Sequence, residues 1–123
     1  MQLQGKTAVV TGAGRGIGEA VARLFAAEGA AVVVAARTAR GGEATVASIR
    51  AAGGEATFHQ TDVRRGEQVR RLIDESVRRY GHLDALVNNA GIEGPGKPLA
   101  EASEDEWDAV IDTNLKGCFL SMR

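Results

Sequence analysis

The segment Ala31-Val32-Val33-Val34-Ala35-Ala36 constrains this chain more than any other part of it. Every residue is apolar, so a strand here has no face to offer to water. That is the pattern of a strand in a parallel sheet covered by helices on both sides. Thr7-Ala8-Val9-Val10-Thr11 is a shorter run of the same kind, followed at once by glycines.

Helix-like stretches separate the strands. From Ile17 onward, Ile17, Val21, Leu24 and Phe25 fall at helical spacing, and Gly29 provides a stop. A weaker helix is expected from Gly42 to Ala52, closed by Gly53-Gly54. Glu55 to Thr61 reads as a third strand, with Ala56 and Phe58 apolar among polar neighbours. A third helix, Gly66 to Tyr80, is expected to turn Val69, Leu72, Ile73 and Val77 inward. On its outer face Arg70–Asp74, Arg71–Glu75, Asp74–Arg78 and Glu75–Arg79 stand at i,i+4. Those interleaved acids mark a solvated face rather than a nucleic-acid-binding one. Leu83 to Val87 is the fourth strand, and Gly91 to Leu99 a loop with Gly94, Pro95 and Gly96. Ser103-Glu104-Asp105-Glu106 is a capping box. The helix it opens carries Trp107, Val110 and Ile111 on one face and is still helical in pattern at Arg123. Four strands alternating with four helices imply βαβ units, a parallel sheet and right-handed crossovers in one domain, 1–123.

Composition excludes several functions. The 123 residues are 44% hydrophobic and 25% charged with a formal net charge of −1, which gives nucleic acid or an anionic membrane no electrostatic hold. The longest apolar run, Ala30 to Ala36, is far too short to span a bilayer. A single cysteine, Cys118, permits no intrachain disulfide, and Met1 to Lys6 lacks a signal-peptide layout, so a cytoplasmic location is expected. Cys118, His59 and His82 form no ligand cluster, so no metal is expected. Sixteen glycines against two prolines favour tight turns and close backbone approaches.

The tightest of those turns is Thr11-Gly12-Ala13-Gly14-Arg15-Gly16-Ile17-Gly18, joining the end of a strand to the start of a helix. Glycine lets the backbone approach a pyrophosphate without an intervening Cβ, and the N–H groups at a helix start favour negative charge. Asn114 stands out separately. It continues the Trp107, Val110, Ile111 face, placing an amide where an apolar side chain is expected, and a buried amide needs hydrogen-bond partners.

The spacing Thr-Gly-x-x-x-Gly-x-Gly resembles the fingerprint of the short-chain dehydrogenase/reductase family of single-domain type, including its 3-oxoacyl reductase-like members. Asp62-Val63 after the third strand, Asn88-Asn89-Ala90-Gly91 after the fourth, and Asn114 in the next helix follow in the family's order. The resemblance covers the whole chain. It implies a Rossmann-type doubly wound α/β sheet, strand order 3-2-1-4, with the coenzyme groove between the first and fourth strands. It implies that Gly12, Gly16 and Gly18 form the pyrophosphate turn, with Ile17 offering backbone N–H groups. Asp62 and Val63 would flank the adenine, the aspartate accepting from its amino group. Asn89, Ala90 and Gly91 would line the pocket near the nicotinamide ribose, and Asn88 would tie neighbouring strands. Asn114 would bend its helix and hold a water in the catalytic proton relay.

Coenzyme choice is read at the end of the second strand. An NAD enzyme of this type would place an acid there to bind the ribose hydroxyls. Here the chain reads Ala35-Ala36-Arg37, and the nearest acid downstream is Glu43. Arg37 suits a 2′-phosphate, with Arg15 flanking it from the glycine loop, so NADP(H) is expected over NAD(H).

The family's serine and Tyr-x-x-x-Lys have no counterpart, because Tyr80, the only tyrosine, is followed four residues on by Asp84. The expectation is therefore the coenzyme-binding N-terminal portion of a carbonyl/alcohol oxidoreductase, truncated before its catalytic segment and a likeness of homo-oligomeric enzymes. The alternatives are a non-catalytic nucleotide-binding module and an inert remnant.

Overall fold

β1 (Thr7–Thr11) is buried along its whole length, and β2 (Ala31–Ala36) along all but its first residue. A computed structural model, describing residues 1–123, shows why. β1 and β2 are the central strands of a four-stranded sheet ordered β3-β2-β1-β4, with β3 (Glu55–Gln60) and β4 (Ala85–Val87) outside them. Every pairing is parallel, and Val9 stands beside Val33 on β2 and Leu86 on β4. The expected Rossmann-type order is the one formed.

Side-chain alternation divides the core between the two faces. Val10, Val32, Val34 and Ala56 point toward α1 (Gly16–Ala27) and α2 (Ala39–Ala51), where they join Ala22, Ala26, Val46 and Ile49. Val9, Val33 and Ala35 point the other way and meet Leu72 of α3 (Gly66–Tyr80). The chain then passes through a short 3₁₀ turn (Leu99–Glu101), α4 (Glu104–Ile111), a π-helical segment (Asp112–Lys116) and α5 (Gly117–Met122). No helix is long and apolar enough to cross a membrane.

Several expectations are corrected. In α1 the residues facing the sheet are Gly18, Ala22 and Ala26, while Ile17 and Leu24 are exposed. The small side chains let the helix lie close to the strands, so Ile17 and Leu24 are left outside, while Val21 and Phe25 pack half-buried against the core as expected. α2 begins at Ala39 instead of Gly42, after Thr38 turns the chain in extended conformation. In α3 the inward position expected for Val77 belongs to Ser76, whose hydroxyl donates to the Leu72 carbonyl at 2.6 Å. The ion pairs on its outer face are Arg71–Glu67 and Arg78–Glu75 instead of the four expected, each acid pairing with the nearest arginine its rotamer reaches. β4 starts at Ala85, because Asp84 is diverted: its N–H donates to the Thr7 carbonyl and its carboxylate accepts from the Thr7 N–H.

Candidate coenzyme cleft

The glycine turn leaves the carboxyl end of β1 and is stitched to the end of β4. Thr11 Oγ1 donates to the Val87 carbonyl at 3.3 Å and accepts from the N–H groups of Asn89 and Ala90, both at 3.1 Å. That uses the one donor and two acceptors a hydroxyl has. Asn89 Nδ2 donates to the carbonyls of Thr11 and Gly12, both at 3.2 Å. Asn89 thus performs the tie expected of Asn88, because its side chain turns toward β1. From the other side, the buried Thr45 Oγ1 donates to the Ala13 carbonyl at 2.9 Å, holding α2 against the turn. Thr11 stands in the fingerprint with no role legible from it, and Thr45 gives no signal at all; a threonine closing a strand does not announce a partner so distant in the chain.

The glycines serve different ends. A Cβ on Gly12, which sits at φ +64°, would lie 2.8 Å from Ala90 Cα, and one on Gly18 would run into the Gly12 carbonyl and Asn89 Nδ2. Both are small so that the strand ends can close. Gly16, at φ +59°, faces open space, with nothing within 4 Å of a Cβ. It is the position where backbone is left free for a ligand to approach.

That space belongs to a cleft of about 880 Å³ at the carboxyl ends of the strands. Gly12, Arg15, Gly16, Ile17, Arg37, Val63, Asn89, Ala90 and Gly91 all line it. So do Thr38, Gly41, Thr61 and Thr113, none of which stands in a motif of the sequence. Thr38 is the N-cap of α2 yet its side chain caps nothing, and an earlier start for α2 would have drawn attention to it. Gly18 lies buried beneath the turn and does not line the cleft. Asp62 is absent from the lining as well; its carboxylate is paired with Arg64 at 2.7 Å, and that guanidinium holds it below the usual carboxylate range.

Asn114 is exposed instead of buried. The helix widens from α to π geometry over Asp112–Lys116, and the extra residue in that turn shifts the register. Thr113 takes the inward place, and the Asn114 amide reaches across to the loop. Its Oδ1 accepts from the Ile92 N–H at 2.8 Å and its Nδ2 donates to the Ile92 carbonyl at 2.9 Å. The bend expected at Asn114 is thus a π turn, with the side chain pinning the loop after β4.

The one tyrosine lies at the opposite end of the sheet. Tyr80 closes α3, and its hydroxyl donates at 2.8 Å to Glu55, the first residue of β3. Burial, with the Glu55 carboxylate beside it, pushes its phenol above the ordinary range. A proton-passing tyrosine needs the reverse. A smaller hollow of about 330 Å³ between β3 and α3 is lined by His59, Glu75, Arg78 and Arg79, far from the glycine turn. Burial there holds His59 below the usual imidazole range.

Comparison with known proteins agrees with this geometry. The family model described as short chain dehydrogenase matches residues 6–123. An uncharacterized oxidoreductase of Listeria innocua is 45% identical over 117 residues, covering 95% of this chain and 47% of that protein. The 3-oxoacyl-(acyl-carrier-protein) reductase of Thermotoga maritima is 38% identical over 119 residues, covering 97% of this chain and 48% of its own length. The crystal structure of a metagenomic short-chain oxidoreductase in complex with NADP superposes with a TM-score of 0.95 at 42% identity, covering 100% of this chain and 56% of that one. The chain spans about half the length of the curated relatives it matches.

Proposed function

The chain belongs to the short-chain dehydrogenase family, and from that premise we propose that residues 1–123 are the NADP(H)-binding portion of a carbonyl/alcohol oxidoreductase. The observation that carries the proposal is the cleft at the strand ends, which the open backbone at Gly16 and both Arg15 and Arg37 line. Backbone N–H groups of the turn and of the α1 start suit a pyrophosphate. Two guanidinium groups with no acid at the end of β2 suit a 2′-phosphate rather than free ribose hydroxyls. A structural neighbour was captured with NADP, which supports the same choice.

When bound, a nicotinamide coenzyme supplies or accepts the hydride. What this chain contributes is orientation. Thr11 and Asn89 fix the turn; Arg37 and Arg15 would hold the phosphate end, Val63 would flank the base with Asp62 next to it in the chain, and Ala90 and Gly91 would border the nicotinamide ribose. Asn114 would hold the loop after β4 and, through its main chain, a water of the proton relay. The serine and Tyr-x-x-x-Lys of the family have no counterpart in 1–123, so residues 1–123 bind coenzyme without turning it over. The same reading carries a small carbonyl or alcohol substrate, a cytoplasmic location and homo-oligomeric assembly for the whole protein.

Calorimetric titration with NADP(H) and NAD(H) tests the coenzyme choice. One charge-assisted contact at about 1.4 kcal/mol gives roughly tenfold in affinity. Arg37→Asp should reverse the preference, because the acid repels the phosphate and accepts from a free hydroxyl. Arg15→Ala should weaken NADP(H) less than Arg37→Asp. Equal affinities in the parent chain, or an Arg37→Asp variant still favouring NADP(H), would overturn the reading.

A further inference from the structure

Thr45 is wholly buried in α2, yet its hydroxyl acts outside that helix. Oγ1 donates to the Ala13 carbonyl at 2.9 Å, while the Gly41 carbonyl, one turn back in α2, lies farther off at 3.1 Å. A helical threonine commonly satisfies its hydroxyl on that preceding turn. Here the shorter bond leaves the helix for the glycine turn. The Ala13 carbonyl accepts from no other group of the chain. Ala13 is itself fully buried, and its N–H donates to the Ala35 carbonyl of β2 at 3.1 Å.

The other end of the same peptide bond is free. Gly14 lines the cleft, and its N–H donates to nothing in the chain. A trans peptide is planar, so its carbonyl and its N–H point in opposite directions. Fixing the Ala13 carbonyl toward Thr45 therefore sends the Gly14 N–H away from it. Glycine takes positive and negative φ about equally readily, so this peptide could turn over at little cost if its carbonyl were released. α2 does not depend on the bond for its own place. Val46 and Ile49 seat it in the larger core, and Gly42 lies so close to Phe58 that a Cβ there would overlap the ring.

We propose that Thr45 is a positioning residue for coenzyme binding: it locks the Ala13–Gly14 peptide so that the Gly14 N–H is presented to a phosphate group of the dinucleotide. This rests on the coenzyme reading above and adds to it a residue that does not itself line the cleft. The hydroxyl acts on affinity only through the carbonyl it holds. A threonine that served packing alone would affect stability and leave the Gly14 N–H as it is.

The test is calorimetric titration of the full chain with NADP⁺ and NAD⁺, joined to the amide resonance of Gly14. In the parent, the Gly14 amide proton should move downfield on saturation with NADP⁺, as a hydrogen bond to a charged oxygen forms. Thr45→Val keeps the shape and loses the donor. It should lose most of that shift and bind NADP⁺ roughly tenfold more weakly, the equivalent of one hydrogen bond to a charged group. Thr45→Ser keeps the donor and should restore both. Weakening of both coenzymes would place the Gly14 N–H at the pyrophosphate, and weakening of NADP⁺ alone would place it at the 2′-phosphate; either supports the proposal. A Gly14 amide unmoved by NADP⁺ in the parent would overturn it, whether or not the valine variant folds. So would a folded Thr45→Val with the parent's affinity, or a Thr45→Ser as weak as Thr45→Val, each leaving the coenzyme reading intact. A parent that binds neither dinucleotide would sink the coenzyme reading and this proposal together.

Discussion

The wall of the cleft built from β1, α1, β2 and α2 rests on ten buried apolar residues, whereas the wall running from Glu104 to Met122 buries only Thr113, Gly117 and Ser121. On that second wall Trp107, Leu115, Phe119 and Met122 are all exposed. Its position is set by local devices: the Ser103 cap, the Lys97–Glu106 pair, the Asn114 bonds to Ile92, and Gly117 lying against Val63. Packing places the glycine-turn side of the cleft, and a handful of hydrogen bonds places the other. The first kind of wall is expected to unfold with the domain, and the second to open by itself.

Truncating one side chain packed on the far face of the same central strands and one from the second wall gives the largest contrast. Leu72 is fully buried and is the only helical side chain in the small cluster with Val9, Val33 and Ala35. Leu72→Ala should cost about 2–5 kcal/mol, from lost transfer energy plus the cavity left behind. Trp107 is 55% exposed, and Trp107→Ala should change stability by no more than about 0.5 kcal/mol. Urea unfolding followed by circular dichroism measures both, since Trp107 is the only tryptophan and fluorescence would be lost with it. Comparable costs would erase the distinction between the two regions.

Legibility in the sequence follows the same division. Strand alternation, the βαβ order and the bounds of α3 were readable because each rests on a period or a glycine stop within a few residues. The capping box was readable too: Ser103 Oγ accepts from the Glu106 N–H at 3.1 Å, and Lys97, with help from Ser103, holds the Glu106 carboxyl below its usual range. The inward face of α1 is legible only in part: Val21 and Phe25 pack against the core, but close packing on a parallel sheet puts Gly18, Ala22 and Ala26 deepest, and these carry little hydropathy signal. No periodicity announces a π turn, so the exposure of Asn114 was beyond reach. At the cleft, Arg15, Arg37 and the glycine turn were visible as residue types in order, whereas the roles of Thr11 and Thr45 depend on contacts to residues far away in the chain.

Within the packed wall, the two glycines separate folding from binding. A Cβ on Gly18 meets backbone at Gly12, which cannot move aside without opening the β1–β4 junction. Gly18→Ala should therefore cost about 3 kcal/mol, the upper end for forced overpacking. Gly16→Ala meets no neighbour and should cost about 1–2 kcal/mol for its left-handed backbone alone. Its coenzyme affinity should fall further than that loss of stability explains, because the methyl group enters the cleft. Thermal melts with and without NADPH distinguish the two variants. Equal destabilisation would mean that the turn is held less closely to Asn89 than the hydrogen bonds imply.

The smallest expected effect is the sharpest test of the second wall. Ser103 satisfies one of the free N–H groups at the start of α4, and its loss should cost about 1 kcal/mol. Because α4 buries no residue, that cost should appear as local opening and not as lowered stability of the whole domain. In Ser103→Ala, amide exchange at Glu106, Trp107 and Asp108 should accelerate about fivefold, the equivalent of 1 kcal/mol. Exchange at Leu72 and the urea midpoint should stay where they are. Ser103→Asp should restore protection, since a carboxylate caps as well as a hydroxyl and also favours the positive end of the helix dipole. A Ser103→Ala variant whose urea midpoint falls by the full amount would mean that α4 unfolds together with the buried clusters. The two walls would then be one cooperative unit, and the contrast in their packing would have no counterpart in their dynamics.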